Sequence, residues 1–244
     1  MSERLAARRG LPAIFGIALA TGFSGAVVPG PLLTVVVTES VRRGWWAGPV
    51  MMAGHGTLEL IAILLLITGL IRFARSPRVQ GVVGLIGGVV LLYLAYGTLM
   101  LSGESGAGAL RAQAAAGAAA GGWPRLVWLG GLMSAVNPYW WLWWATVGAA
   151  HTSWAVQRER VGGATYFVGH VMSDVIWYSA VSVALGAGRT LLSPSALRGI
   201  YIVCGAFLLG LGVAFGVAGA RRLARAQQGD REHSAAGESD GRET

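Results

Sequence analysis

The chain has 244 residues, of which 54% are hydrophobic and only 12% are charged. This composition is typical of a polytopic membrane protein and excludes an ordinary soluble domain. The net charge of +8 comes entirely from Arg residues, most of which flank apolar segments, so we interpret it as a topology signal and expect no nucleic-acid partner.

Six apolar segments follow one another along the chain, each near the roughly 20 residues that a helix needs to cross a membrane. We predict spans at 11–37, 47–70, 81–101, 126–150, 162–186 and 197–219. The predicted fold is all-α, a polytopic membrane protein with six transmembrane helices. Of the 19 Arg residues, 13 lie in the termini and alternate loops of one side. The positive-inside rule then predicts that both termini are cytoplasmic and that the protein lies in the cytoplasmic membrane.

An Ala/Gly-rich segment separates the third span from the fourth and is interpreted as a linker. The predicted units are a first three-helix repeat at 1–102, the linker at 103–122, a second three-helix repeat at 123–220 and a polar tail at 221–244. We expect the distal tail to be disordered and its basic start to contact membrane lipid. Because each repeat has an odd number of spans, the second is predicted to be inverted relative to the first.

Two matching His-acid pairs lie within apolar runs of the two repeats. Gly54-His55-x-x-x-Glu59 in the second span matches Gly169-His170-x-x-x-Asp174 in the fifth, and these are the only His, Asp or Glu residues in the six spans. Residues four apart share one face of a helix, so each His is predicted to contact its own acid. Ionisable groups at membrane depth usually mark a substrate, ion or proton path.

Prolines interrupt two of the spans. Pro29, Gly30 and Pro31 lie late in the first span, and Asn137 and Pro138 lie in the fourth. Proline lacks a backbone N–H, so both helices are predicted to break there. Broken helices at membrane depth are tolerated where they line a polar cavity, and their exposed ends suit ions.

The Pro29-Gly30-Pro31 triplet, the loop glycines Gly44 and Gly48, the Asn137-Pro138 pair and the acid of the fifth span together resemble the LysE superfamily of exporters. The resemblance covers most of residues 11–219. It implies a six-helix inner-membrane protein that exports amino acids or related small solutes, coupled to an ion gradient. The wider superfamily also includes exporters of divalent cations.

We predict a translocation site near the membrane midplane, where inverted repeats of secondary transporters place their substrates. Its residues are Pro29, Gly30, Pro31, His55, Glu59, Asn137, Pro138, His170 and Asp174. The helix ends near the prolines would hold the carboxylate of an amino acid, and the two acids would hold its ammonium group. Because His titrates near neutral pH, the same groups would couple export to proton entry.

The alternative hypothesis is a divalent metal cation exporter. Two imidazoles and two carboxylates form a mixed N/O ligand set, here His55, Glu59, His170 and Asp174. With first-shell bonds near 2.0–2.2 Å for zinc, a separation of more than about 10 Å between the pairs would exclude one shared ion. A hydrolase built on the same groups is a minor alternative, since no His-Glu-x-x-His or Gly-x-Ser-x-Gly pattern is present. We expect no enzymatic activity and no cofactor.

Two further patterns have structural interpretations. The stretch from Tyr139 to Trp144 contains four Trp residues. We interpret them as packing residues or an interfacial belt in preference to a cage around a ligand. Gly84-x-x-x-Gly88 and Gly212-x-x-x-Gly216 predict close helix approach, either within one chain or in a homo-oligomer.

Overall fold

In a computed structural model the protein is all-α in the parts that the structure describes, residues 2–69, 76–103, 122–187 and 193–240. The helices are α1 (Ser2–Ala26), α2 (Pro31–Arg43), α3 (Ala47–Ile67), α4 (Pro77–Leu101), α5 (Gly122–Ala135), α6 (Pro138–Trp143), a π-helical segment (Trp144–Gly148), α7 (Ala149–Arg158), α8 (Gly162–Ala187) and α9 (Pro194–Asp240). Apart from its two ends, the predicted linker at 103–122 lies outside the described residues.

Within those residues, four helices are long and apolar enough to cross a membrane. They are Ala47–Ile67, Pro77–Leu101, Gly162–Gly186 and Ser195–Gln228. A fifth span results if the pair Gly10–Ala26 and Pro31–Arg43, which are bent by 80° relative to each other, counts as one broken crossing. The fourth predicted span, 126–150, is divided among α5, α6, the π-helical segment and the start of α7. The protein is therefore a multi-pass α-helical membrane protein.

Both predicted helix breaks are present. α1 ends at Ala26 and α2 begins at Pro31, while α5 ends at Ala135 and α6 begins at Pro138. Proline suits the first position of a helix, because its missing N–H has no intrahelical partner there. Pro31 and Pro138 therefore occupy equivalent positions, each at the first residue of the helix that follows a break.

Glycines allow the helices to approach at backbone distance. α4 packs against α9, where a Cβ at Gly84 would lie 3.1 Å from the Gly219 Cα and one at Gly88 would lie 2.8 Å from the Gly216 nitrogen. The predicted close approach of the glycine motifs is confirmed, and it occurs within one chain. α3 packs against α5 in the same way, since a Cβ at Gly54 would collide with the Val127 carbonyl oxygen.

The end of the chain differs from the prediction. α9 continues past residue 220 to Asp240, through much of the segment expected to lack regular structure. Once a helix is formed, each further residue adds one hydrogen bond without a new nucleation step, so a long membrane helix readily extends into a polar segment. The tail begins with Arg221, Arg222 and Arg225 on this helical extension.

Candidate functional site

The two His-acid pairs lie near the middle of α3 and α8, which pack against each other. All four side chains are buried, with exposed fractions of 6% for His55, 1% for Glu59, 3% for His170 and 3% for Asp174. The glycine before each His explains the burial. Gly54 lies against the α5 backbone, and a Cβ at Gly169 would lie 2.7 Å from the Phe15 carbonyl oxygen of α1. Neighbouring helices thus close over both imidazoles.

The four groups form one cluster that crosses between the helices. His170 Nε2 donates to Glu59 Oε1 at 2.9 Å, and His55 Nε2 lies 3.2 Å from the same oxygen. Asp174 is further away, with its oxygens 3.7 Å from His55 Nε2 and 3.8 Å from His170 Nε2. His55 does contact the acid of its own helix, as predicted. His170 does not hydrogen-bond to Asp174, because its partner is the acid of the other helix.

The hydroxyl of Ser134 fixes the orientation of the His55 ring. It donates to the Gly130 carbonyl oxygen at 2.8 Å, so the His55 Nδ1–H donates to it at 2.6 Å. A neutral His55 would then direct the lone pair of Nε2 at the carboxylates of Glu59 and Asp174. That arrangement is repulsive unless a second proton on the ring or a bound cation stands between them. The geometry therefore makes His55 Nε2 a position for a positive charge.

A cavity of about 50 Å³ adjoins this cluster, and all four ionisable side chains line it. A cavity needs at least about 10–15 Å³ to hold one ordered water, so this cavity has room for more than one small polar molecule or ion. Four buried polar atoms of the cluster have no hydrogen-bond partner among the described residues: His55 Nε2, Glu59 Oε2, His170 Nδ1 and Asp174 Oδ2. Buried polar atoms without partners are rare in folded proteins, so these atoms indicate a site for a polar ligand or ions.

Aromatic side chains form another wall of the cavity. The ring centroid of His170 lies 4.6 Å from that of Trp143 and 5.0 Å from that of Trp144, and Trp140 also lines the cavity. The sequence interpretation had favoured packing or an interfacial belt for these residues. Their spacing of three and four positions places them on one helix face, and that signal could have identified them. Ser134 also lines the cavity but was not among the predicted site residues.

The proline regions contribute backbone and capping groups. Gly30 and Asn137 line the cavity, whereas Pro29, Pro31 and Pro138 are not among its lining residues. Asn137 caps the helix that follows it, since its Oδ1 accepts from the Tyr139 N–H at 3.1 Å. The N-terminus of α2 has no side-chain cap. The prolines thus set where the helices begin, and their neighbours reach the cavity.

A metal ion is compatible with part of the cluster. One ligand atom each from His55, Glu59 and Asp174 can be chosen so that all three lie within 4.8 Å of one another. The pairs are therefore close enough for one shared ion, and the separation that would have excluded it does not occur.

Broken helices that bring buried His and acid groups to one cavity define the protein as a membrane transporter in class. The sequence profile of the LysE type translocator family matches residues 23–219. The chain belongs to this family, and it is accordingly a translocator of small solutes with no catalytic activity. No curated protein and no solved structure matches the chain.

Proposed function

We propose that the protein exports amino acids or related small solutes across the cytoplasmic membrane in exchange for protons. The observation that carries this proposal is the convergence of two unlike charge sites on one cavity. Glu59 and Asp174 supply a cation site, and the uncapped N-terminus of α2 supplies an anion site. A zwitterion with an ammonium and a carboxylate group matches both.

The cation site gives a physical basis for exchange. Glu59 Oε2 and Asp174 Oδ2 have no hydrogen-bond partner within the described part of the chain, and His55 Nε2 lies within 4 Å of an oxygen of each acid. A proton on this nitrogen and an ammonium group between the carboxylates satisfy the same negative charge. Binding of one therefore disfavours the other, which is the thermodynamic requirement for antiport.

The anion site lies at the break in the first span. Gly30 and Leu32, at the buried start of α2, line the cavity, and Gly30 has no side chain to cap the helix. A Cβ at Gly30 would lie 3.4 Å from the Asn137 Nδ2, so an amide donor faces the same place. Free N–H groups and the helix dipole at such an end favour a carboxylate.

The packing of the helices supports six crossings in two inverted repeats. If the two halves of the chain are equivalent, α1 corresponds to α5, α3 to α8 and α4 to α9. The contact of α1 with α8 then maps onto the contact of α5 with α3, while the α3–α8 and α4–α9 contacts map onto themselves. In both halves, the helix that follows the break begins at a proline. We assign the repeats to 1–102 and 123–220, joined by 103–122 and followed by the tail at 221–244.

Arg asymmetry supports cytoplasmic termini. Labelling with an impermeant thiol reagent tests this orientation, with Cys204→Ser as the background and Ser2→Cys as the reporter. The reporter should react in inside-out vesicles and not in intact cells. Labelling in intact cells would reverse the assignment.

Transport in proteoliposomes tests the function. Glu59→Gln and Asp174→Asn should each abolish amino-acid export driven by a pH gradient, because each removes half of the cation site. Glu159→Gln, which changes a half-buried acid just after α7 and outside the cavity, is the matched control and should retain transport. Full activity of both site variants would refute the proposed role of the cluster.

Divalent cation export is the second candidate, and two observations favour it. The ligand atoms of His55, Glu59 and Asp174 already lie within 4.8 Å, and the cavity of about 50 Å³ suits an ion without enlargement. An amino acid is larger than this cavity, so its transport requires α2 or α6 to move outward. Efflux assays with a panel of amino acids and with Mn²⁺, Co²⁺, Ni²⁺ and Zn²⁺ separate the candidates. Saturable transport of the metals alone would select the second.

A further inference from the structure

A second and larger cavity lies on the opposite side of α6 from the cluster. It is a partly open groove of about 320 Å³ between α4, α9 and the helix that begins at Pro138. Trp141 and Leu142 face this groove, whereas Trp140 and Trp143 of the same helix face the transport cavity. Its volume is near the low end of the roughly 300–1,000 Å³ typical of small-molecule sites.

The groove is apolar along its length and basic at one end. Its apolar lining includes Val83, Trp141, Leu142, Ala145, Phe215 and Ala218. At its end the Arg222 guanidinium donates to the Gln80 Oε1, and the neighbouring Arg221 and Arg225 are also exposed on α9. No acidic side chain is among the described residues that line it. The groove therefore joins an apolar channel to a positive charge that no acidic residue of its described lining offsets.

We propose that this groove binds one anionic phospholipid, with the phosphate at Arg222 and an acyl chain against Leu142 and Phe215. The place of Arg222 supports this occupant, because it follows the apolar part of α9 at the start of the basic tail. Basic pockets between membrane helices on the cytoplasmic side recognise anionic headgroups in this way. A second copy of the chain is a poorer match. A two-fold interface brings together two copies of the same surface, and no acidic residue among those that line the groove would be available on either copy to pair with Arg222.

The proposed lipid would contact the back of the broken fourth span. Pro138 and Trp141 line the groove, and the Trp141 indole N–H donates to the Ala135 carbonyl oxygen across the break at 2.7 Å. An acyl chain packed there would support the start of the helix whose other face holds Trp140 and Trp143. The lipid site rests on the groove alone and does not depend on which solute is transported.

Native mass spectrometry of the purified full-length chain tests the proposal. Titration with phosphatidylglycerol should give one tightly retained lipid, and phosphatidylcholine of the same chain length should bind more weakly. Arg222→Gln should lower the affinity for phosphatidylglycerol about fivefold, as expected for one basic group near an anionic headgroup. Arg225→Gln, which changes an exposed Arg of the same cluster outside the groove, should leave that affinity unchanged.

A second variant separates a lipid site from an anion site or an interface. Ala145→Phe fills the groove without a change in charge and should abolish retention of phosphatidylglycerol, while glycerol phosphate, which lacks acyl chains, should not compete. Equal losses in Arg222→Gln and Arg225→Gln would overturn the proposal in favour of diffuse surface charge. Equal retention of the two lipids, competition by glycerol phosphate, or a dimer that Ala145→Phe dissociates would each overturn it as well.

Discussion

The Nε2 atom of His170 lies 2.9 Å from the Oε1 atom of Glu59, which precedes it by 111 positions and belongs to a different helix. The same nitrogen is 3.8 Å from the Oδ2 atom of Asp174, the acid of its own helix. The shortest contact among the four ionisable side chains thus joins α3 to α8, so the two halves of the chain share one set of charges. A change of charge at Glu59 must act on both imidazoles, since His55 Nε2 lies 3.2 Å from the same oxygen.

Replacement of Ser134 by Ala tests the fixed orientation of the His55 ring. The change removes the acceptor of the Nδ1–H, so we expect the free energy of unfolding to fall by about 1–2 kcal/mol. Export should also slow, because the ring can then turn Nε2 away from the acids. Ser173→Ala is the matched control, since the Ser173 hydroxyl donates to the His170 backbone oxygen and not to a ring. Thermal unfolding and transport rates check both variants, and equal effects in the two would contradict this role of Ser134.

Two substitutions of Asn137 separate its capping role from its proposed role in anion binding. Asn137→Ala removes the cap on the Tyr139 N–H and should destabilise the protein by about 1 kcal/mol. Asn137→Asp keeps an acceptor at the cap, so stability should be close to that of the unchanged protein. It places a negative charge beside Gly30, however, and should therefore weaken export of solutes that carry a carboxylate. Unfolding and transport measured on both variants give the comparison, and full export by Asn137→Asp would argue against an anion site at α2.

Much of the architecture follows from local patterns in the sequence. Long apolar runs predict membrane helices because the bilayer requires about 20 such residues. Proline predicts where two helices break, since it cannot supply the N–H of a continuing helix. Even the shared cavity is anticipated, because His55, Glu59, His170 and Asp174 all lie at membrane depth.

The partners within the site could not be predicted in the same way. An i, i+4 spacing states that His170 and Asp174 share a helix face, but it gives no information about what packs on that face. The approach of α3 to α8 decides that Glu59 is nearer to His170. The role of Ser134 likewise depends on the fit of α5 against Gly54, which is a tertiary contact.

Gly54→Ala tests the close approach of α3 and α5. The added methyl group would meet the Val127 carbonyl oxygen, so the helices must separate. Overpacking of this kind typically destabilises by about 1–3 kcal/mol. The movement should also displace His55 and lower transport.

Gly210→Ala is the matched control in α9, where an added Cβ has nothing within 4 Å. Because Ala favours a helix over Gly, the control should be neutral or stabilising in a thermal unfolding assay. Similar losses in both variants would mean that the contact is unimportant.

Replacement of Glu39 by Gln tests the contribution of a buried ion network at the end of α2 to stability. Its side chain is 3% exposed and pairs with Arg43, whose side chain is 1% exposed, and with Arg42 at 3.0 Å. Arg125, at the start of α5, lies 3.3 Å from the same carboxylate but is 42% exposed. The change breaks the contacts of a buried carboxylate with Arg43 and Arg42, so Glu39→Gln should lower the free energy of unfolding by about 3 kcal/mol. Arg125→Gln removes only an exposed partner and should lower it by no more than about 1 kcal/mol. Denaturant unfolding of the two variants in the same detergent measures which substitution lowers the free energy of unfolding more. A larger effect of Arg125→Gln would show that the contact between α2 and α5, and not the burial of charge, governs stability at this end of the protein.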